Sequence, residues 1–348
     1  MSSALRLVDI SGKGRGFVAT EPLKGGQVIL RESPILVFSA YPLKRSRHPT
    51  YCAHCYRTFP VEGSRDQTPL TCPSCCHPED AAQFCSTTCH SAARSSTHSP
   101  WVCASLNYLR NCSSLLDNQA EERQVQARYL VTAYNLAIVS PSDFQTLMSL
   151  HGDGERYIDI AKFLQLIISS LSFPGELPDL SVEMIAGLLD KETNNSFNLM
   201  EPVRENGERG IRAYAIYPTV SFFNHSCMPN ACRFEYLDGS NIENNTDIVI
   251  RTMHDVPQGE EICLSYVRVN RNYIDRKKRL LDYFGFNCLC ERCKVEANNE
   301  SNWGEFARKF VCENEKCGGT LAPLNPSEDG YSADCMECNY CGSLTNRK

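Results

Sequence analysis

The sequence predicts an α+β protein whose β-rich core is interrupted by metal-stabilised segments. Three observations carry that expectation. Short β-like runs open the chain and return beyond residue 210. A helical stretch fills the middle. The chain has 20 cysteines, most of them in three clusters.

A length of 348 residues suits two or three compact units. In residues 1–48, the runs 6–10, 16–19, 27–30 and 35–38 are β-like, with Gly and Pro between them. Residues 49–103 lose apolar periodicity, and Cys, His, Pro and Ser dominate. Such a segment needs metal to hold it together. Residues 104–200 turn helical, with apolar spacing over 121–139 and 158–171. A further helix starts at Ser181 as N-cap, with Ile185, Leu188 and Leu189 on its apolar face. Residues 201–268 are β-like again, over 211–216, 232–236, 248–252 and 261–265. Residues 269–297 hold a short basic helix, 273–283, and a second Cys cluster. Residues 298–348 hold the third.

Charge and chain start narrow the classes. The net charge is -6 and the pI about 5.8, which argues against direct DNA binding as the main role. Lys44, Arg45, Arg47 and Arg57 read as a solvated basic face. The N-terminus has no apolar signal-peptide region, and the longest apolar stretch, 163–171, is too short to span a bilayer. A reducing compartment, nucleus or cytoplasm, is expected. Abundant cysteines there point to zinc rather than disulfides.

The first cluster is Cys52-x2-Cys55, Cys72-x2-Cys75, Cys85-x3-Cys89, then His98 and Cys103. Eight ligands in four pairs serve two tetrahedral zinc ions. Interleaving gives Cys52, Cys55, Cys85 and Cys89 one ion, and Cys72, Cys75, His98 and Cys103 the other. Cys76, His77 and His90 are spare ligands nearby. The second cluster, Cys288-x-Cys290-x2-Cys293, is one ligand short, and Cys227 is the candidate for the fourth. The third is Cys312-x4-Cys317 with Cys338-x2-Cys341, a small zinc ribbon; Cys335 with Cys338 is the alternative second pair. About four zinc ions are expected. Full protein ligation makes all of them structural.

Three segments carry chemistry: Gly12-Lys13-Gly14-Arg15-Gly16-Phe17, Ser221-Phe222-Phe223-Asn224-His225-Ser226-Cys227, and Gly259-Glu260-Glu261-Ile262-Cys263-Leu264-Ser265-Tyr266. No GK[ST] follows the glycines and no helix is signalled after them, which excludes a P-loop or Rossmann reading. The three segments, followed by Cys-x-Cys-x2-Cys, resemble the SET domain of protein-lysine methyltransferases. The order of the first cysteine cluster is similar to the MYND zinc finger. Together they match the SET-and-MYND family, in the compact form of its plant members.

The resemblance implies a pseudoknotted SET fold split by the MYND finger, with a helical insert, a post-SET zinc site and the C-terminal ribbon. It implies a monomeric enzyme that moves a methyl group from S-adenosylmethionine to a protein lysine, histone or non-histone. Gly14, Arg15, Gly16, Asn195, Ser221, Asn224, His225 and Phe286 would bind the cofactor. Tyr266 would be the catalytic tyrosine, also touching the cofactor, and Phe197 and Phe284 would line the lysine channel. Phe284 stands where the family often has tyrosine, which implies room for more than one methyl. The MYND module implies docking of proline-containing partner peptides. Two other readings compete with it: an inactive SET–MYND adaptor, and a zinc-dependent nucleic-acid binder.

Overall fold

The structure, a computed structural model, describes residues 4–43, 50–59, 68–76, 81–111, 116, 119–175, 178–203, 209–238, 245–298, 300–301, 303–314, 317–324 and 335–346. Lys44, Arg45, Arg47 and His77 lie outside them. Among the described residues no helix is long and apolar enough to cross a membrane.

The strands make small sheets. Strands β1 (Leu5–Ile10) and β2 (Gly14–Ala19) form an antiparallel hairpin, with Ile10 opposite Gly14. Strand β3 (Val28–Glu32) lies at the edge of a three-stranded sheet, and β4 (Leu36–Ser39) at the edge of another. The first cysteine module follows, with the short pair β5 (Leu70–Thr71) and β6 (Gln83–Phe84), then helices α1 (Thr87–Arg94) and α2 (Pro100–Asn111). Helix α2 therefore begins inside the stretch read as irregular. Its buried face carries the apolar stripe Val102, Leu106 and Leu109, interleaved with Cys103, Ser105, Asn107 and Arg110, and its first turn falls in the cysteine-rich stretch.

The helical insert comprises α3 (Glu121–Val139), α4 (Pro141–Met148), α5 (Ile158–Ile168) and α6 (Val182–Asn195). Tyr129, Leu130, Tyr134, Leu164, Ile185 and Leu188 form its core. The Ser181 hydroxyl caps α6 by accepting from the Met184 amide at 3.2 Å. Chain direction then reverses through β7 (Ser196–Met200) and β8 (Ile211–Ile216), which pair with each other and with β4. The fully buried Arg212 of β8 donates to the Tyr56 carbonyl at 2.6 Å and bridges Asp238 at 3.1 Å, fastening the cysteine module to the core.

A second core, with Phe17, Leu23, Ile29, Tyr217, Phe223 and Ile250, lies beneath the remaining strands. These are β9 (Asn224–His225), β10 (Ala231–Glu235), β11 (Ile248–Thr252) and β12 (Cys263–Leu264). The chain ends in α7 (Tyr273–Phe284), α8 (Glu291–Glu296), α9 (Trp303–Phe310) and a three-stranded ribbon, β13 (Leu321–Pro323), β14 (Cys335–Cys338) and β15 (Leu344–Asn346).

Candidate active site and metal centres

Four groups of ligand atoms converge: Cys52, Cys55, Cys85, Cys89; Cys72, Cys75, His98, Cys103; Cys227, Cys288, Cys290, Cys293; and Cys312, Cys317, Cys338, Cys341. Within each group the ligand atoms lie within 4.8 Å of one another. Sulfur separations are 3.7 Å for Cys55–Cys85, 3.9 Å for Cys72–Cys103, 3.5 Å for Cys227–Cys293 and 3.8 Å for Cys312–Cys341. A disulfide needs about 2.05 Å. Four ~2.3 Å bonds to one tetrahedral ion set sulfurs about 3.8 Å apart. The donor sets and spacings fit zinc. Hydrogen bonds from neighbouring thiols push Cys52, Cys75 and Cys290 toward the thiolate, the form that binds metal. Cys341 takes the fourth place in the ribbon group, and Cys335 sits buried on β14 outside it.

The three chemical segments meet at one place. Strand β9 pairs in parallel with β12, Asn224 beside Cys263 and His225 beside Leu264. An antiparallel bridge joins Val18 to Glu261, and the Ile262 amide donates to the Phe17 carbonyl at 2.8 Å. The Gly14–Arg15 edge of β2 is exposed, and it faces Asn224, whose Nδ2 reaches the Arg15 carbonyl at 3.3 Å. Gly16 permits this approach: a Cβ there would stand 2.5 Å from Asn224 Nδ2. The same Nδ2 donates to Glu261 Oε1 at 3.0 Å, while Glu261 Oε2 accepts from Lys13 Nζ at 2.5 Å. Lys13 and Glu261 lie within the quoted motifs but carry no role in the sequence reading. Their opposite charges were the available signal.

Tyr266 is tied at both ends. Its amide donates to His225 Nδ1 at 3.0 Å, and its hydroxyl donates to the Phe223 carbonyl at 2.7 Å. Burial pushes the phenol above its ordinary range, so the hydroxyl stays a donor at neutral pH. With Nδ1 accepting, His225 carries its proton on Nε2, which lies 3.3 Å from Cys227 Sγ. Burial pushes this imidazole down to about 3, so it is neutral. The ring thereby links the Tyr266 backbone to a ligand of the third metal group. Phe284 and Phe286 close the wall: ring centroids are 5.0 Å apart for Tyr266–Phe284 and 6.0 Å for His225–Phe286. Gly285, left-handed at φ +73°, ends α7 and turns the chain between these two rings.

The other expected residues make contacts of their own. The Ser221 hydroxyl donates to the Tyr217 carbonyl at 2.9 Å, which leaves its oxygen to accept from a ligand. Asn195 is buried at the end of α6, and its Nδ2 donates to the His151 and Lys191 carbonyls, each at 2.8 Å. Phe197 packs edge-on against Tyr217 at 5.8 Å, with the Arg233 guanidinium 5.3 Å from its ring centroid. Arg156 fastens this flank to the aromatic wall, bonding Asp190 at 2.7 Å, Asn194 at 3.0 Å and the Tyr283 carbonyl at 2.9 Å. No motif signalled Arg156.

This architecture places the chain in a known class: it belongs to the SET-domain family, whose model matches residues 14–267. Among individual relatives, it is 42% identical to "Histone-lysine N-methyltransferase ASHR2" of Arabidopsis thaliana, over 98% of this chain and 95% of that one. It is 26% identical to "SET domain-containing protein SmydA-8, isoform B" of Drosophila melanogaster, over 96% of this chain and 66% of that one. It is 23% identical to the human "Histone-lysine N-methyltransferase SMYD3", over 82% and 60% respectively.

Proposed function

We infer that this chain is a protein-lysine methyltransferase that takes its methyl group from S-adenosylmethionine. One observation carries the reading. An exposed glycine edge, Gly14–Arg15, faces Asn224 and His225 beside an aromatic wall that includes a hydrogen-bonded tyrosine, Tyr266. When bound, the cofactor supplies an electrophilic methyl carried on a sulfonium.

The chain's own residues do the rest. The Gly14–Gly16 backbone and Asn224 hold the amino-acid and ribose parts. Ser221 accepts a hydrogen bond from the adenosine end. Both Nδ2 hydrogens of Asn195 are already donated, so its Oδ1 accepts from the cofactor ammonium. Phe286 offers a ring to adenine. Phe197 and Phe284 line the lysine path, and desolvation there lowers the amine pKa. His225 is not the base, because both its nitrogens are engaged. The amine proton leaves through the channel to water, and alignment does most of the work, up to roughly 7–11 kcal/mol.

The relatives named as histone-lysine methyltransferases support a histone tail as substrate class. We read the first cysteine module as a MYND finger, the 227–293 group as a post-SET site, and the crossing of β9 and β12 as the pseudoknot. A cleft of about 510 Å³ beside Cys55 and Cys89, lined by Ile35, Leu136 and Val139, supports partner docking at that finger. The test is calorimetric titration of S-adenosylmethionine into wild type and Asn224→Ala, followed by methyl-transfer assays on histone peptides. Binding that Asn224→Ala loses supports the site. A folded, zinc-loaded wild type that binds no cofactor sinks the enzyme reading.

A further inference from the structure

The ribbon group has no ligand in the catalytic frame, yet its unit touches that frame at three points. First, Tyr340, between the ribbon ligands Cys338 and Cys341, lies between two guanidiniums. Arg268 is 4.8 Å from its ring centroid and Arg209 is 5.2 Å away. The Arg268 side chain also donates to the Tyr340 hydroxyl at 2.8 Å, and Arg209 donates to the Tyr340 carbonyl. Arg268 is two residues beyond Tyr266.

Second, Gly318, next to the ligand Cys317, comes so close to Asn270 that an added Cβ would stand 2.8 Å from the Asn270 Oδ1. Third, Arg292 of α8 bonds the same segment and is covered by Trp303 of α9. The Arg292 guanidinium lies 3.4 Å from the Trp303 ring centroid. It also donates to the Val269 carbonyl at 2.7 Å and the Cys227 carbonyl at 3.4 Å. Trp303 shares an apolar cluster with Met228, the residue after Cys227.

The ribbon is itself anchored to the sheet. Glu337 accepts from the buried Arg251 at 2.5 Å and from the Tyr236 hydroxyl at 3.0 Å, and Asn339 donates to the Arg233 carbonyl at 3.2 Å. Residues 267–272, which join Tyr266 to α7, are therefore held by the ribbon at Arg268 and Asn270 and by Arg292 of α8, on which Trp303 of α9 packs.

We propose that the C-terminal ribbon is a clamp on the catalytic segment, with Tyr340 and Arg268 as positioning residues for methyl transfer. The proposal rests on the methyltransferase reading for its kinetic consequence only. The clamp fixes where α7 begins, and so where Phe284 and Phe286 stand against Tyr266. A displacement of about 1 Å at reacting groups costs up to ~100-fold in rate.

The test compares full-length, zinc-loaded wild type with Tyr340→Ala, Tyr340→Phe and Arg268→Ala, zinc content being counted in each. Hydrogen exchange of residues 267–272 and 286–293 is read by mass spectrometry, beside kcat and KM for peptide. In Tyr340→Ala and Arg268→Ala, exchange of both segments should speed by about tenfold, as local opening becomes easier. In both, kcat should fall by about tenfold with little change in peptide KM. Tyr340→Phe keeps the ring between the guanidiniums and should restore most of both. Should Tyr340→Ala lose ribbon zinc, Arg268→Ala decides, since Arg268 lies outside the ribbon. Zinc-replete variants with wild-type exchange overturn the clamp. A wild type that transfers no methyl fails the function reading instead, and the exchange result still decides the clamp.

Discussion

Phe284 faces the Tyr266 ring at a centroid distance of 5.0 Å and carries no hydroxyl to hold a lysine nitrogen or a pocket water. On the proposed lysine path, a lysine that already bears one methyl would meet an apolar wall here rather than a fixed donor, and would be free to turn for a second transfer. Phe284→Tyr should lower the proportion of di- and trimethylated peptide by about tenfold, as one hydrogen bond of about 1.4 kcal/mol permits. Mass spectrometry of the products checks this, and an unchanged product ratio sinks it. The roles of single residues were legible unevenly. Asn224, His225 and Tyr266 stood in dense motifs, and the knuckle spacings marked the metal ligands. The Lys13–Glu261 pair was not legible, because 248 residues separate its partners and only the fold brings them together. Arg292 was hidden as well. Its burial against Trp303 follows from how the C-terminal helices dock, which no local pattern encodes.

Elements were readable where apolar periodicity sets them. The runs 121–139 and 248–252 match α3 and β11, and Ser181 caps α6 as expected. Helices α1 and α9 were missed because each spans only eight residues, and α2 because its start falls inside the cysteine-rich stretch. Within α6, whose C-terminal residue is Asn195, Glu192 has a carboxyl that accepts from the Ser196 hydroxyl at 3.1 Å. Desolvation raises its pKa from 4.5 to about 7. Burial, then this carboxylate, also pushes Tyr129 and Tyr214 up. Between these two pH values the folded chain keeps a proton that the unfolded chain releases, so stability falls as pH rises through the window. Glu192→Gln removes the charge and keeps an acceptor. It should gain about 2 kcal/mol at pH 8 and distinctly less at pH 5.5. Denaturant titrations at the two pH values read this directly, and an equal gain at both would show that the carboxyl titrates normally.

At the scale of the whole molecule, the metal centres and the active site are one mechanical system. The third group is the point where they join. Cys227 follows the Asn224–His225 strand by two residues, while Cys288 follows Phe286 by two, so an ion held by this group would tie the aromatic wall to that strand. His225 adds a second link, from Cys227 Sγ to the Tyr266 amide. Cys288 and Cys290 are only half-buried, as are Cys312 and Cys341 of the ribbon group, whereas the first two groups each have three buried ligands. A chelator reaches half-buried thiolates first. Partial chelation of full-length protein at neutral pH should therefore draw zinc from the ribbon and 227–293 groups before the other two, and the 227–293 zinc is the one beside the Asn224–His225 strand. Losing it should abolish S-adenosylmethionine binding while most helical circular dichroism remains, since the insert core of Tyr129, Leu164 and Leu188 contains no metal ligand. Stepwise chelation with zinc counted, calorimetry on each fraction and back-titration with zinc make the measurement. Cofactor binding that survives loss of the 227–293 zinc and disappears only with global unfolding would show the metals acting as independent staples. Loss and recovery with the 227–293 zinc would support the proposal that this ion completes the cofactor pocket.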